Sequence, residues 1–488
     1  MATIFEQVGH PSGTMTARTL YQRILDAHVV CPVGESGQVL IYIDRQVLNE
    51  YTSPQAFAAL HAAQRAVWRP KAHLAVVDHV NATTPARTVD TMRITDGARA
   101  RQVSLLAENC ALHGIEHIGM LDERQGIEHV VVSEQGFVLP GMIIAAGDSH
   151  TTSHGAMGAL GFGIGSSEIE HLLATQTLVV RPQRNMRVRV KGRLTLGLSA
   201  KDVVLALIAR IGADGAQGHV IEFQGPAIEQ MDVEGRLTLC NMSVEAAARG
   251  GMVAPDDRLF NYLHGRPRVP TGRAWDHSVN QWRRLRSDPQ AVFDREVELD
   301  ASCLLPRVTW GTSPDQGTAI DGRVPNPVHE QDPTRRSSME RALQYMGLQP
   351  GQCLAGLPIS HAFIGSCTNS RLDDLRAAAQ VLRGRHVASH VRALVVPGSS
   401  TVRAQAEAEG LHHIFMSAGF EWRQAGCSMC VAMNDDHLAP GDRCASSTNR
   451  NFESRQGMGA RTHLMSPAMV AAAAVEGALT DVRQLLTQ

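Results

Sequence analysis

Two short cysteine motifs, Gly365-Ser-Cys367-Thr-Asn-Ser370 and Gly426-Cys427-Ser-Met-Cys430, carry the strongest claim to chemistry in this chain. A C-x-x-C pair can present two sulfurs to one metal centre, and a distant third can complete a face. Cys367 precedes a helix expected to open at Ser370, where free backbone N–H groups and the helix dipole favour a thiolate. Three thiolates without an obvious fourth suit an iron–sulfur cluster with one iron left open to a non-protein ligand. The same spacing admits a structural zinc site completed by Cys444 or by one of the 22 histidines. It also admits a redox pair of Cys427 and Cys430 alone, or inert core cysteines. The other five, Cys31, Cys110, Cys240, Cys303 and Cys353, have no partner at motif spacing and read as buried small hydrophobes.

Polar clusters interrupt otherwise apolar stretches. Asp78-His79 ends LAVVDH, His129 and Glu134-Gln135-Gly136 lie in GIEHVVVSEQG, and Asp148-Ser149-His150 follows GMIIAAG and runs on to His154. Carboxylate–imidazole neighbours at the C-terminal ends of strands stand where α/β folds place chemistry, and such pairs can move a proton near neutral pH. Singly, each also reads as a satisfied loop histidine. Asn241 and Glu245 have helical i,i+4 spacing and share a face, of a site or of a solvated helix. Arg450 and Arg455, in Asn449-Arg-Asn-Phe-Glu-Ser-Arg455, offer forks that match carboxylates bidentately; a surface salt-bridge network is the plainer reading.

The elements that must position these residues read as α/β layers. Leu74–Val77 and Gly141–Ala146 are expected as buried strands, and Ala98–Cys110, Glu168–Gln176 and Arg336–Gly347 as helices. Ser466-Pro467 should open a further helix, and Ser167 with Glu170 a capping box. GFGIG at 161–165 lacks the full dinucleotide or P-loop pattern, so close helix packing is the better reading. No internal repeat is visible. Five prolines between Pro306 and Pro333 mark linker chemistry.

With 488 residues, roughly three domains are expected. A hydrophobic content of 43% with 19% charge is ordinary for a globular protein. A net charge of −2 and 5 Trp, 5 Tyr and 11 Phe leave no basic stripe with stacking platforms for nucleic acid. Nine irregularly spaced cysteines, no signal segment and no membrane-length apolar run point to a reduced, cytoplasmic setting.

Taken together, the motifs resemble the isopropylmalate dehydratase large subunits of the aconitase superfamily. The matching segments include YIDRQVLNEYTSPQAF, GDSHTTSHGAMGALGFGIGSSEIEH, GHVIEFQGPAIEQM, FIGSCTNSRLDDLRAAA, GFEWRQAGCSMC and NRNFESRQG, in order from about residue 17 onward. The resemblance implies an aconitase-like α/β fold of three domains around an iron–sulfur cluster, lacking the swivelling fourth domain. Its boundaries are an extension at 1–16, domains at 17–195, 196–305 and 341–488, and a linker at 306–340. It implies one [4Fe–4S] cluster per subunit on Cys367, Cys427 and Cys430, with one iron not ligated by cysteine and acting as a Lewis acid. Asp78, His79, His129, Asp148, His150 and Glu245 would be catalytic. Gln55, Ser149, Asn241, Arg450 and Arg455 would bind substrate, with Asn449 near the cluster. The implied reaction is a hydro-lyase isomerisation of 2-isopropylmalate to 3-isopropylmalate in leucine biosynthesis. The implied partner is a small subunit carrying the swivelling domain, in a heterodimer. Three departures stand out: Asp78-His79-Val80-Asn81 where the family commonly has Asp-His-Asn, Ala425 for a usual proline, and Ser454 for a usual glycine. They leave open a paralogue acting on another alkylmalate, homoaconitate or a citrate-like acid. An RNA-binding role, known among aconitase relatives that lose the cluster, is disfavoured by the charge and aromatic content.

Overall fold

The computed structural model describes residues 17–84 and 97–486. The extension expected at 1–16 lies outside the described residues. Three parallel sheets organise the chain. The first runs, in space, Glu116–Ile118, His73–Val76, Arg45–Asn49, Ile143–Ala146, Leu160–Gly163. The second runs Gly250–Met252, His219–Gln224, Arg184–Lys191, Arg295–Asp300. The third runs Phe420–Trp422, Arg392–Val395, His361–Ile364, Arg443–Ser446, Arg461–Leu464.

Counted along the chain, the first and third sheets share one spatial order: third strand, second, first, fourth, fifth. Each therefore reverses its winding between its first and fourth strands. In open parallel sheets, ligands bind beyond the carboxyl ends of the strands at that reversal. Strands such as Ile143–Ala146 are buried at every position, as parallel strands covered on both faces must be.

The expected helices form at Gly97–His113, Ser166–Thr175 and Pro333–Met346. Ser466 caps the helix opened by Pro467, accepting from the Met469 N–H. Two expected caps are displaced. The helix after Cys367 starts at Leu372, with the Asp374 carboxylate accepting from the Arg371 N–H at 3.1 Å. The Ser370 hydroxyl instead donates to the Ser366 carbonyl at 2.7 Å and braces the cysteine turn. Likewise Glu168, not Glu170, accepts from the N–H of Gly165, at 2.8 Å.

Arg307–Thr309 pairs with Gly317–Ala319 within the proline-rich stretch, burying Val308 and Trp310. Three cysteines expected inside are exposed: Cys31 on a ribbon strand, Cys303 at the end of the 3-10 helix Ala301–Cys303, and Cys353 at an isolated bridge to Arg323. Cys110, Cys240 and Cys444 are buried. The glycine run is close packing: a Cβ on Gly161 would stand 2.2 Å from the Thr151 carbonyl oxygen. Gly155 is tighter still, its Cβ position 1.6 Å from the Gly251 oxygen. Among the described residues no helix is long and apolar enough to cross a membrane.

Candidate active site

The winding reversals bring the chemistry together. Cys367 follows the strand His361–Ile364, Asn449 and Arg450 follow Arg443–Ser446, and Cys427 and Cys430 follow Phe420–Trp422. All three cysteines are buried. The side-chain amides of Asn241 and Asn449 donate to Cys367 Sγ at 3.2 and 3.4 Å. Ser366 Oγ lies 3.2 Å from Cys430 Sγ and 4.0 Å from Cys367 Sγ. Burial, then the charges of Cys430 and Asp148, push the Cys367 thiol up to about 12. Burial, Asp78 and the other two cysteines raise Cys427 well above the ordinary thiol value.

Ser366 Oγ lies between the Cys367 and Cys430 sulfurs, and amide N–H groups aimed at Cys367 suit an anionic sulfur, as metal ligation makes it. The donor set fits an iron–sulfur group. Cys444 offers no fourth ligand there; it packs with Phe363, Leu394 and Met429, its Sγ directed at the Ala445 carbonyl at 3.4 Å.

Beside the cysteines runs a chain of carboxylates and imidazoles. Asp78 grips His79 Nδ1 and accepts from the Glu128 N–H at 2.9 Å. His79 Nε2 faces Asp148 Oδ2 at 3.7 Å. Asp148 Oδ1 accepts from the His150 N–H at 2.6 Å and lies 3.0 Å from His129 Nε2. His150 Nε2 meets Glu245 Oε1 at 2.9 Å, Arg450 Nε donates to the same oxygen at 2.8 Å, and Arg450 Nη2 donates to Ser149 Oγ at 2.9 Å. Burial opposes the His79 imidazolium, but Asp78, Asp148 and Glu50 together raise its pKa well above the usual histidine value. Burial also opposes charge on Asp148, yet hydrogen bonds from His129, His150 and His79 hold it well below the usual carboxylate range. His150 and Arg450 similarly outweigh burial to lower Glu245. The result is a proton-rich imidazole facing a proton-poor carboxylate.

The cysteine loop and the acid–base turn are laced together. The Cys427 N–H donates to the Asp78 carbonyl at 3.2 Å, and the Gln424 N–H to the Thr83 carbonyl at 2.9 Å. Asn434 donates to the Asn81 carbonyl at 2.8 Å. Asp436 accepts from Ser428 Oγ at 2.7 Å and pairs with both Arg423 and Thr83. Asp78, His79 and Cys427 each present a ligand atom within 4.8 Å of the others, as do Glu128, His129 and Asp148.

Twelve of the sequence-derived site residues thus share one connected region, which among the described residues Gln55 and Arg455 do not join by hydrogen bonds. Gln55 is exposed, its Oε1 accepting from Ser166 Oγ at 3.5 Å. Arg455 lies over the Phe452 ring at 5.1 Å, with its Nε making no hydrogen bond. Glu134 faces away, accepting from Ser399 Oγ at 2.8 Å, and burial pushes it up to about 7. Two residues escaped the sequence reading. Glu50 accepts from the N–H groups of Asp78, His79 and Val80 and so shapes the turn. Buried Glu128, its Oε1 without a hydrogen bond, is raised well above the carboxylate range by burial, Asp78 and Asp148. Its position directly before His129, like Asp78 before His79, was the signal available.

The aconitase family model (aconitate hydratase) matches residues 22–477. The chain is 59% identical over 472 residues to a 3-isopropylmalate dehydratase large subunit 2 of Salmonella choleraesuis (strain SC-B67), covering 97% of this chain and 99% of that one. It is 57% identical over 470 residues to a 3-isopropylmalate dehydratase large subunit 1 of Mannheimia succiniciproducens, covering 96% and 98%. The crystal structure of Thermococcus kodakaraensis aconitase X (holo-form) superposes with a TM-score of 0.45 at 12% identity, covering 84% of each chain.

Proposed function

The chain belongs to the aconitase family, and from that premise we propose that it isomerises 2-isopropylmalate to 3-isopropylmalate through 2-isopropylmaleate, in leucine biosynthesis. It does so as the large member of a heterodimer, with a small subunit completing the site. The observation that carries this reading is the meeting of three buried cysteines, an Asp78–His79–Asp148 relay and Arg450 at the strand ends. The same reading divides the chain into α/β domains at 17–195, 196–305 and 341–488, joined by 306–340, and places it in the cytoplasm.

Cys367, Cys427 and Cys430 would hold one [4Fe–4S] cluster, with Asn241 and Asn449 donating to its cysteine sulfur. When bound, the cluster supplies a Lewis acid for the substrate's hydroxyl and carboxylate oxygens. The chain's own residues do the rest. Dehydration removes a proton beside a carboxylate and expels hydroxide, so it needs an acid at the leaving oxygen and positive charge at the carboxylates. His79 holds its proton at neutral pH and faces the anionic Asp148, the poise expected of an acid paired with an acceptor. His129 and His150 fix Asp148 from either side. Glu245 orients His150 and Arg450 together, and Ser149 steadies the guanidinium. Arg450 and Arg455 hold carboxylates; the unpaired Nε of Arg455 leaves part of its fork available. Gln55, exposed beside the start of the Ser166–Thr175 helix, would support the substrate.

The test is anaerobic hydration of 2-isopropylmaleate by the iron- and sulfide-reconstituted chain with its candidate small subunit, against cis-aconitate under the same conditions. Turnover of the first that requires both chains is the expected result. Turnover of cis-aconitate alone would move the function to a paralogue with another acid, in keeping with Ala425 and Ser454.

A further inference from the structure

Lys201 is the second residue of the helix Ala200–Ile211 and is 0% exposed. Burial and the helix dipole both oppose a cation there. Burial removes its hydration, and the start of a helix is the positive end of its dipole. The helix already has its own favourable anion, Asp202, closing a capping box with Ser199. An apolar side chain of equal length would serve the helix better.

What the ammonium meets is two turns of the cysteine site. Lys201 Nζ donates to the Ser447 carbonyl at 2.8 Å, to the Thr448 carbonyl at 2.5 Å and to Asn369 Oδ1 at 3.2 Å. Three donors meet three acceptors, which is the complement of an ammonium and not of a neutral amine. Asn369 is two residues beyond Cys367, and Thr448 directly precedes Asn449. Among the described residues no carboxylate oxygen bonds Nζ. Burial is the largest influence and lowers its pKa to about 7; the neighbouring groups that pull the other way, toward the ammonium, are Asp374, Cys430, Cys367 and Asp202. A second buried cation, Arg371, donates to the Thr368 carbonyl at 3.0 Å; its charge acts on Asp374 and Glu234 and also favours the Cys367 thiolate. Two of the four groups that act on Lys201 are therefore cysteines of the site.

We propose that Lys201 is a buried counter-charge of the three-cysteine site: its ammonium ties the turn after Cys367 to the turn before Asn449 and offsets the negative charge of the sulfurs when they are loaded. The inference rests on the cluster reading above. Net charge and hydrogen bonding around the sulfurs are what set the reduction potential of an iron–sulfur centre. Lys201 is thus a positioning residue that acts through the cluster and touches no substrate.

The experiment compares the parent chain with Lys201→Met, which keeps bulk alone, and Lys201→Gln, which also keeps N–H donors. Each full-length chain is melted without iron, then reconstituted with iron and sulfide for bound iron, visible absorbance, rate of iron release to a chelator, and midpoint potential. Both variants should remain folded when empty, melting somewhat lower where the Ser447 and Thr448 carbonyls lose their donor and Lys201→Met lower than Lys201→Gln. Loaded, both should release iron at least tenfold faster and show a more negative potential. A Lys201→Gln chain with the parent's potential and release rate would overturn the inference, leaving the lysine a hydrogen-bonding stitch. Empty variants that are unfolded would also overturn it, making Lys201 a requirement of the fold. If the parent itself takes up no cluster, the cluster reading fails and this inference with it; parity between variant and loaded parent sinks this inference alone.

Discussion

Glu245→Gln is the sharpest probe of the proposed acid–base arrangement, because one carboxylate serves two partners. Its Oε1 accepts from His150 Nε2 at 2.9 Å and from Arg450 Nε at 2.8 Å, while Oε2 lies 3.1 Å from Arg450 Nε. A glutamine can turn its oxygen to Arg450, but its NH2 then faces His150 Nε2 and forces the other tautomer. Turned the other way, it sets a donor against a guanidinium. One charge-assisted bond is lost and the other becomes charged–neutral, with such bonds worth about 1.5–3 kcal/mol each. The Arg450 side chain is 26% exposed, so water recovers part of the loss. About 2 kcal/mol remains, and at about 1.4 kcal/mol per decade that is roughly a 30-fold fall in kcat/KM. The assay is 2-isopropylmaleate hydration by the loaded heterodimer, with iron per chain measured in parallel. A kcat/KM within about threefold of the parent, at equal iron content, would refute the role given to Glu245. The empty chain gives an independent check. Because the folded pKa of Glu245 is lowered, its contribution to stability is present above the unfolded value and is lost as pH falls through the folded one. The glutamine chain should lack that component of acid sensitivity.

Three further outcomes follow from the geometry. Cys430→Ser should abolish bound iron and visible absorbance while Cys444→Ser keeps both, since Cys444 is sealed among apolar side chains; iron retained by the former would overturn the ligand assignment. Arg455→Lys should raise KM about tenfold through loss of the fork and leave iron content unchanged, whereas unaltered kinetics would remove Arg455 from the site. His73 is 1% exposed with neither ring nitrogen hydrogen-bonded, and burial with the Arg45 charge lowers its pKa from 6.5 to about 3. Between those values the unfolded chain binds a proton that the folded chain does not, so stability falls as pH drops from 6.5 toward about 3. At about pH 5 that amounts to about 2 kcal/mol. Urea melts at neutral pH and at about pH 5 should show His73→Leu losing that much less than the parent; an equal acid loss in both would count against it.

Local chemistry was legible in the sequence where one residue type has one strong use. The C-x-x-C pair, the Asp-His dyads and the Ser466-Pro467 helix start were all identifiable from spacing. Residues whose work depends on the partner element were not. Glu50 and Lys201 look like ordinary charged residues on amphipathic stretches, and only the fold shows the one beneath the Asp78–Val80 turn and the other beneath two cysteine-bearing turns. Ser370 suits a helix cap by type and place, but the tertiary pull of the Ser366 carbonyl on its hydroxyl has no signature in the sequence. The shared strand order of the first and third sheets likewise left no repeat in the sequence, since topology survives where residue identity does not.

The bonds between the cysteine loop and the acid–base turn have a thermodynamic consequence. Cys427 and Asp78 share backbone and side-chain contacts, and Asp436 fastens Ser428 to the same turn through Thr83. Two binding events that use one piece of backbone are linked, and linkage is reciprocal: each must strengthen the other by the same factor. A hydroxy acid seated against His79 and Asp148 would therefore protect the metal centre from loss by as much as the centre tightens the acid. The resting enzyme, short of substrate, would be the form most open to demetallation.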